Sequence, residues 1–299
     1  MRPYESEQPV IFGEVLFDHF PDGSVVLGGA PFNVAWNLNA LGANPLFISR
    51  VGNDPLGRKI CEAMRGSGMS TRGIQMDSAH PTGSVQVQLK DGQPSFAILP
   101  DQAYDFIDAA DVAPVYTPPV LYHGSLALRN EASRSAMNEL RRRANPPIFV
   151  DVNLRAPWWE RVAVIEMLKQ ARWAKLNDEE LNQLAPKGDS LEDKARELQK
   201  LCDLSLLVVT KGAEGAIACS DRGDSQEIVP DRGIPVIDPV GAGDAFSAVL
   251  LLGLLSDWSL QQTLQRAQSF ASAVVGLRGA TSSADAGFYK AFVDTWGLA

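Results

Sequence analysis

Gly241, Ala242, Gly243 and Asp244 stand directly before a long apolar run in DPVGAGDAFSAVLLLGLL (238–255). Backbone amides at a helix start lack intrahelical acceptors and sit at the positive end of the helix dipole, so a turn of small residues there suits a phosphate. Asp244 follows at once, within reach of whatever group attacks that phosphate. A carboxylate at a helix start is a weak base. Phosphoryl transfer tolerates this, because its loose transition state needs the nucleophile oriented and its proton removed late. The same residues also serve as an ordinary glycine turn with an acidic cap, so partners elsewhere in the chain must decide. Residues 245–255 are too few to cross a bilayer, which argues against an intramembrane aspartyl protease built on Gly-x-Gly-Asp.

Short apolar or β-branched runs alternate with longer stretches of helical period, the pattern of βαβ units and a parallel sheet. Strands are expected at 9–13, 44–52, 120–128, 147–153, 173–177 and 204–212. Helices are expected at 31–42, 55–68, 131–144, 159–172, 178–184, 190–202, 244–256 and 259–277. Ser190 opens SLED, a capping-box signal, and Asp178 and Glu179 fall in a first helical turn. Ligands of open α/β sheets gather beyond the carboxyl ends of strands, where Asp151, Asn153, Asn177, Thr210 and Lys211 fall. Two regions break the alternation, 14–29 and 82–99. In the second, Val85, Val87 and Leu89 alternate with polar residues before an Asp-Gly turn, which reads as a half-exposed hairpin acting as a flap.

The 299 residues are 45% apolar and carry a net charge of −9, enough for a sizeable core and a field that repels nucleic acid and anionic membrane. Cys61, Cys202 and Cys219 have no metal-like or paired spacing, which fits free thiols in a reducing cytoplasm. The polar, acidic first residues do not resemble a signal peptide. A soluble, cytoplasmic protein without repeats or long linkers is expected. His19, His80 and His123 share no metal-like spacing, and Trp158 and Trp159 read as packing residues.

GGAPFNVAWNLNALGANPLFISRVGNDPLGR (28–58) resembles the N-terminal signature of ribokinase-like (PfkB) carbohydrate kinases, and DPVGAGDAFSAVLL (238–251) resembles their C-terminal one. Between them DVNLRAPWW (151–159), AKLNDEEL (174–181) and VTKGAEGA (209–216) are similar to segments of the fructokinase branch. The resemblance implies a single α/β domain, a three-layer α/β/α fold with a mostly parallel central sheet and a small β lid formed by 14–29 and 82–99. It also implies an ATP-dependent kinase in which Asp244 takes the proton from a sugar hydroxyl and the amides of Gly241, Ala242 and Gly243 form the anion hole.

By the same resemblance Asn177 and Glu180 position Mg²⁺ and its waters, in keeping with the preference of this ion for hard oxygen ligands. Thr210, Lys211 and Gly212 match a nucleotide-side loop. Asp18, Gly29 and Asn33 match residues that bind sugar hydroxyls, a task suited to an acceptor beside an amide that both donates and accepts. Asn153 and Arg155 belong to a D-x-N-x-R element with Asp151, and Arg155 would contact a phosphate or sugar oxygen. Asp238 and the loop from Gly279 to Ser283 match segments that hold K⁺. Family lids contribute to homodimer contacts. Taken alone, several of these have plainer readings: Asp18 as a loop acid, Asn33 as a cap for a helix over 34–41, Glu180 as a solvated helix acid, Arg155 as half of a surface ion pair.

Departures bear on the substrate. Many fructokinases have two threonines after the aspartate where this chain reads Asp238-Pro239-Val240, and an aromatic-arginine segment where it reads SFAILPDQAYDFI. The expected reaction is transfer of the γ-phosphoryl group of ATP to a primary sugar hydroxyl, with fructose giving fructose 6-phosphate. A 2-keto-3-deoxygluconate, ribose or nucleoside kinase is the alternative within the fold, and a non-catalytic sugar-binding paralogue is the alternative outside it. A dinucleotide oxidoreductase is disfavoured, because the first strand leads into GEVLFD rather than a Gly-x-Gly-x-x-Gly turn.

Overall fold

The computed structural model describes residues 8–90, 93–112, 117–185, 187–230, 240–256, 258–276 and 286–298. In chain order the elements are β1 (Val10–Phe12), β2 (Leu16–His19), β3 (Val25–Gly28), α1 (Ala30–Ala40), β4 (Leu46–Gly52), α2 (Pro55–Gly66), β5 (Ile74–Asp77), β6 (Gly83–Lys90) and β7 (Gln93–Ile98). They continue with β8 (Leu121–His123), α3 (Glu131–Ala144), β9 (Ile148–Asp151), α4 (Arg161–Leu168), β10 (Trp173–Asn177), α5 (Asp178–Leu184), α6 (Leu191–Cys202) and β11 (Leu206–Thr210). The last are β12 (Ala216–Ser220), β13 (Ser225–Ile228), α7 (Ala242–Leu255), α8 (Leu260–Val275) and α9 (Ala286–Trp296). The chain groups into two compact units, one formed by 1–118, 127–145 and 281–299, the other by 119–126 and 146–280.

In the first unit β1, β4 and β5 run parallel, with Val10 opposite Leu46 and Ser49 opposite Ile74. The apolar side chains of β1 and β4 are buried, as expected of strands covered on both faces, whereas in the outer strand β5 Ile74 is half-buried and Met76 exposed. The helix α2 starts where Asp54 accepts from the Gly57 amide at 2.8 Å and Pro55 occupies the first helical position, and it turns Ile60 and Met64 inward. Helix α3 starts at Asn130, whose side chain accepts from the Ala132 amide, and ends at Asn145 in a left-handed conformation after Arg141, Arg142 and Arg143. Those three cations suit the negative end of the helix dipole.

A second sheet in this unit has the order β3-β2-β6-β7. The expected hairpin over 82–99 is present as β6 and β7, with Val85 opposite Ile98; the Asp-Gly at its tip, residues 91–92, lies outside the described residues. Val85 and Val87 are buried, matching the alternation. The two irregular regions join directly, because β2 pairs with β6 in parallel, Leu16 opposite Gly83. Local sequence carried no sign of that pairing.

In the second unit β8, β9, β10 and β11 are parallel neighbours, and β12 and β13 continue the sheet antiparallel. The β12–β13 pair was not anticipated: AIACS is short and small-residued, and SQEI has no apolar face. The expected strand over 120–128 is shorter, because Leu126–Leu128 turns into a 3-10 helix after β8. Ser190 does form a full capping box with Asp193. Helix α7 is buried from Ala245 to Gly253, and α8 starts at Ser259, which accepts from the Gln262 amide.

Candidate active site

Helix α7 begins at Gly241, whose φ of 85° lies in the left-handed region that an L side chain resists. Ala242, Gly243 and Asp244 form its first turn, and Asp244 is the sole acid there. Gly243 is exposed, and Ala242 and Asp244 are half-buried. An uncapped glycine start followed by small residues leaves the amide end of the helix open to an anion.

The other second-unit residues singled out from sequence sit at the ends of adjacent strands. Asn177 ends β10 opposite Thr210, which ends β11. Asn177 is the N-cap of α5: its Oδ1 accepts from the Glu180 amide at 2.8 Å, and Glu180 Oε2 accepts from the Asn177 amide at 2.9 Å. Glu180 Oε1 accepts from the Leu154 amide at 2.7 Å, which ties α5 to the DVNLR segment. Glu180 is only 6% exposed, so it is no solvated helix acid. Burial raises its carboxyl above the usual range and nearby Asp151 adds to this, against the lowering by the two amides and Lys175.

Asn153 adopts φ 42° and its carbonyl accepts from Ser125 Oγ at 3.3 Å. Arg155 is exposed and donates to the Leu154 carbonyl at 3.1 Å. Thr210 Oγ1 reaches the Leu176 carbonyl at 3.5 Å. Lys211 pairs with Glu227 of β13, so its charge is held beside the β11 turn, and Gly212 takes φ 54°. Asp238, Gly279 and Ser283 lie outside the described residues.

In the first unit Asp18 lies on β2 opposite Val26 of β3, half-buried. Gly29 is the N-cap of α1 with φ 109°, and a Cβ there would stand 2.7 Å from the Glu14 carbonyl oxygen. Only glycine fits this start. Asn33 is not the cap: it is buried one turn in, its amide donating to the Gly29 carbonyl at 2.8 Å. Helices α1 and α7 therefore both begin at a left-handed glycine without a side-chain cap, while α2, α3, α5, α6 and α8 carry Asp, Asn or Ser caps.

Sequence reasoning passed over one cluster. Lys175 of β10, in WAKLN, is buried and donates to both oxygens of Asp151 at 3.0 and 2.9 Å. Asp151 also accepts from Ser247 Oγ at 2.6 Å and Tyr122 OH at 3.3 Å. The signal available was a charge in the middle of an otherwise apolar strand. Among the described residues no group of three or more His, Cys, Asp or Glu could hold a metal, and no helix is long and apolar enough to cross a membrane. The three cysteines are buried free thiols, and burial raises each, Cys202 to about 11.

The family model for pfkB family carbohydrate kinases matches residues 6–286. A fructokinase from Klebsiella pneumoniae is 34% identical over 258 residues, covering 82% of this chain and 83% of its own. The structure of a Vibrio cholerae fructokinase double mutant, in its fructose, ADP and potassium ion bound form, superposes with a TM-score of 0.83 at 26% identity, covering 97% of this chain and 99% of its own. A sugar kinase from Pyrococcus horikoshii in complex with ATP superposes with a TM-score of 0.77 at 30% identity, covering 92% of this chain and 94% of its own. The fold is thus the ribokinase-like α/β class, with a mostly parallel sheet, flanking helices and a small second sheet. By the family match over nearly its whole length, the chain belongs to the pfkB family of carbohydrate kinases.

Proposed function

We propose that this carbohydrate kinase transfers the γ-phosphoryl group of ATP to the primary hydroxyl of fructose, giving fructose 6-phosphate. The observation that carries the reading is the start of α7, a left-handed glycine followed by small residues and one acid. In this reading the amides of Gly241, Ala242 and Gly243 stabilise charge on the transferred group, and Asp244 orients the sugar hydroxyl and accepts its proton. Asp18, Gly29 and Asn33 hold sugar hydroxyls, Arg155, beside Asn153 in the same element, contacts a phosphate or sugar oxygen, and Thr210, Lys211 and Gly212 flank the nucleotide. Fructokinase relatives support fructose as the sugar.

Asn177 and Glu180 fit a Mg²⁺ ion held through water. Each Glu180 oxygen accepts one amide bond, leaving a lone pair apiece, and the cost of holding this carboxylate charged, set chiefly by burial and raised further by Asp151, is one that a nearby cation would offset. When bound, Mg²⁺ would neutralise phosphate charge. Asp238, Gly279 and Ser283 are the proposed K⁺ loops. The whole chain acts as one ribokinase-like domain, in which the segments 14–29 and 82–99 close over the sugar to exclude water and carry homodimer contacts.

The test is sugar-dependent ADP release with Mg-ATP on fructose, ribose, 2-keto-3-deoxygluconate and adenosine. Turnover with fructose alone is expected. Turnover with another member would keep the reaction and replace the sugar, and silence across the panel would favour a non-catalytic sugar-binding protein.

A further inference from the structure

Gly243 and Ser247 lie four residues apart on α7 and so share one face of the helix. That face rests on a buried ion pair. Ser247 Oγ donates to Asp151 Oδ2 at 2.6 Å, and a Cβ built on Gly243 would stand 3.5 Å from Lys175 Nζ. The carboxylate thus meets the second turn of α7 and the ammonium meets the first, directly beside the open glycine start. Lys175 is 6% exposed and Asp151 2%. Replacing a buried ion pair by neutral groups of similar volume often costs little stability, so folding alone is a weak reason for the pair. Its position offers a better one: a fixed positive charge under backbone donors raises their pull on an anion in a site of low dielectric.

We infer that Lys175, oriented by Asp151, is a positioning residue of the anion-binding turn, holding Gly241–Asp244 in place and adding positive potential beneath its amides. Tyr122, from β8, donates to the same oxygen, Asp151 Oδ2, at 3.3 Å. Two neighbouring strands and one helix therefore converge on Asp151 of β9, which keeps the ammonium facing the turn. The inference deepens the proposed reading of that turn as the phosphoryl site and rests on it.

The experiment compares the wild type, Lys175→Met and the double variant Asp151→Asn/Lys175→Met, measuring Tm, kcat and both KM values on the sugar panel with Mg-ATP. Lys175→Met leaves Asp151 buried without its counter-ion, so it loses both stability and turnover. The double variant removes both charges. It is expected to recover a Tm within about 3 °C of the wild type. Its kcat should stay at least about tenfold below the wild type, with the sugar KM changed less than about threefold. Recovery of kcat together with Tm would overturn the inference and make the pair a stability element. An unfolded double variant would assign the charges to folding and overturn it equally. A wild type silent with every sugar would instead remove the phosphoryl-site reading, a pattern distinct from an active wild type with an active double variant.

Discussion

Asn177 and Glu180 cap each other: the Asn177 side chain accepts from the Glu180 amide at 2.8 Å while the Glu180 carboxylate accepts from the Asn177 amide at 2.9 Å. The second carboxylate oxygen reaches back to the Leu154 amide at 2.7 Å, so one buried acid holds a helix start and the DVNLR segment together. Glu180→Gln sets an amide donor against one of those backbone donors. It should cost about 1–2 kcal/mol of stability, the range of a lost cap. It should also raise the Mg²⁺ concentration for half-maximal turnover, since the residue is the proposed partner of the metal's waters. A Mg²⁺ titration of kcat beside a urea melt checks both, and an unchanged Mg²⁺ requirement with lowered stability would leave Glu180 only its capping role.

Asp244 stands in the first turn of α7, half-buried, where its loss removes little packing. Asp244→Asn keeps the shape and removes the base. The expected outcome is a fall in kcat of about 10²–10⁴, the usual worth of general-base catalysis, with Tm and both KM values near those of the wild type. Sugar phosphorylation near the wild-type rate in a folded variant would show that another group takes the proton.

His123 is buried on β8, and its Nδ1 donates to the Gly124 carbonyl at 2.9 Å. Burial lowers its pKa from 6.5 to about 4, only partly offset by that bond, so the ring is neutral in the folded chain near pH 7. The unfolded chain binds the proton near pH 6.5 and the native one does not until about pH 4. Stability from this group is therefore present above pH 6.5 and is lost as pH falls toward 4. Between pH 7 and pH 5 the loss should be about 2 kcal/mol. Urea midpoints at the two pH values, with His123→Gln as the comparison, check it: the variant should show a smaller drop.

Gly29 combines φ 109° with a backbone oxygen, that of Glu14, only 2.7 Å from any Cβ. Gly29→Ala must strain α1 or push away the backbone of Glu14 and Val15 that leads into β2. A destabilisation above about 2 kcal/mol is expected by urea unfolding, larger than a glycine replacement in an open turn. A melt matching the wild type would mean that this start is plastic.

The parallel pairing of β2 with β6 links residues 16–19 to 83–86 in one sheet. If the sheet closes on sugar, amide exchange in both segments should slow together when fructose is added, because one strand cannot be protected without its neighbour. Hydrogen-exchange mass spectrometry with and without sugar reads this directly. Unchanged exchange in both would count against closure by this sheet.

The parallel strands themselves and helix starts near Ser190, Asp178 and Asp244 were legible in the sequence; the order of the strands in the sheet was not. Buried parallel strands read as continuous apolar runs, and caps are encoded within four residues of the helices they start. The Gly-Ala-Gly-Asp turn was legible for the same local reason. What only the tertiary structure decided is where charge is buried. Glu180 reads alone as a solvated helix acid, yet it lies inside because Leu154, 26 positions away, gives it a second amide. Lys175 looks like an oddity within WAKLN until Asp151, 24 positions away, and α7 close over it. The junction of β2 with β6 is likewise a long-range choice, since pairing register depends on which faces are buried and not on either strand alone. Spacing along the chain encodes local hydrogen bonds; the energy of a buried charge is set by partners that only folding brings near.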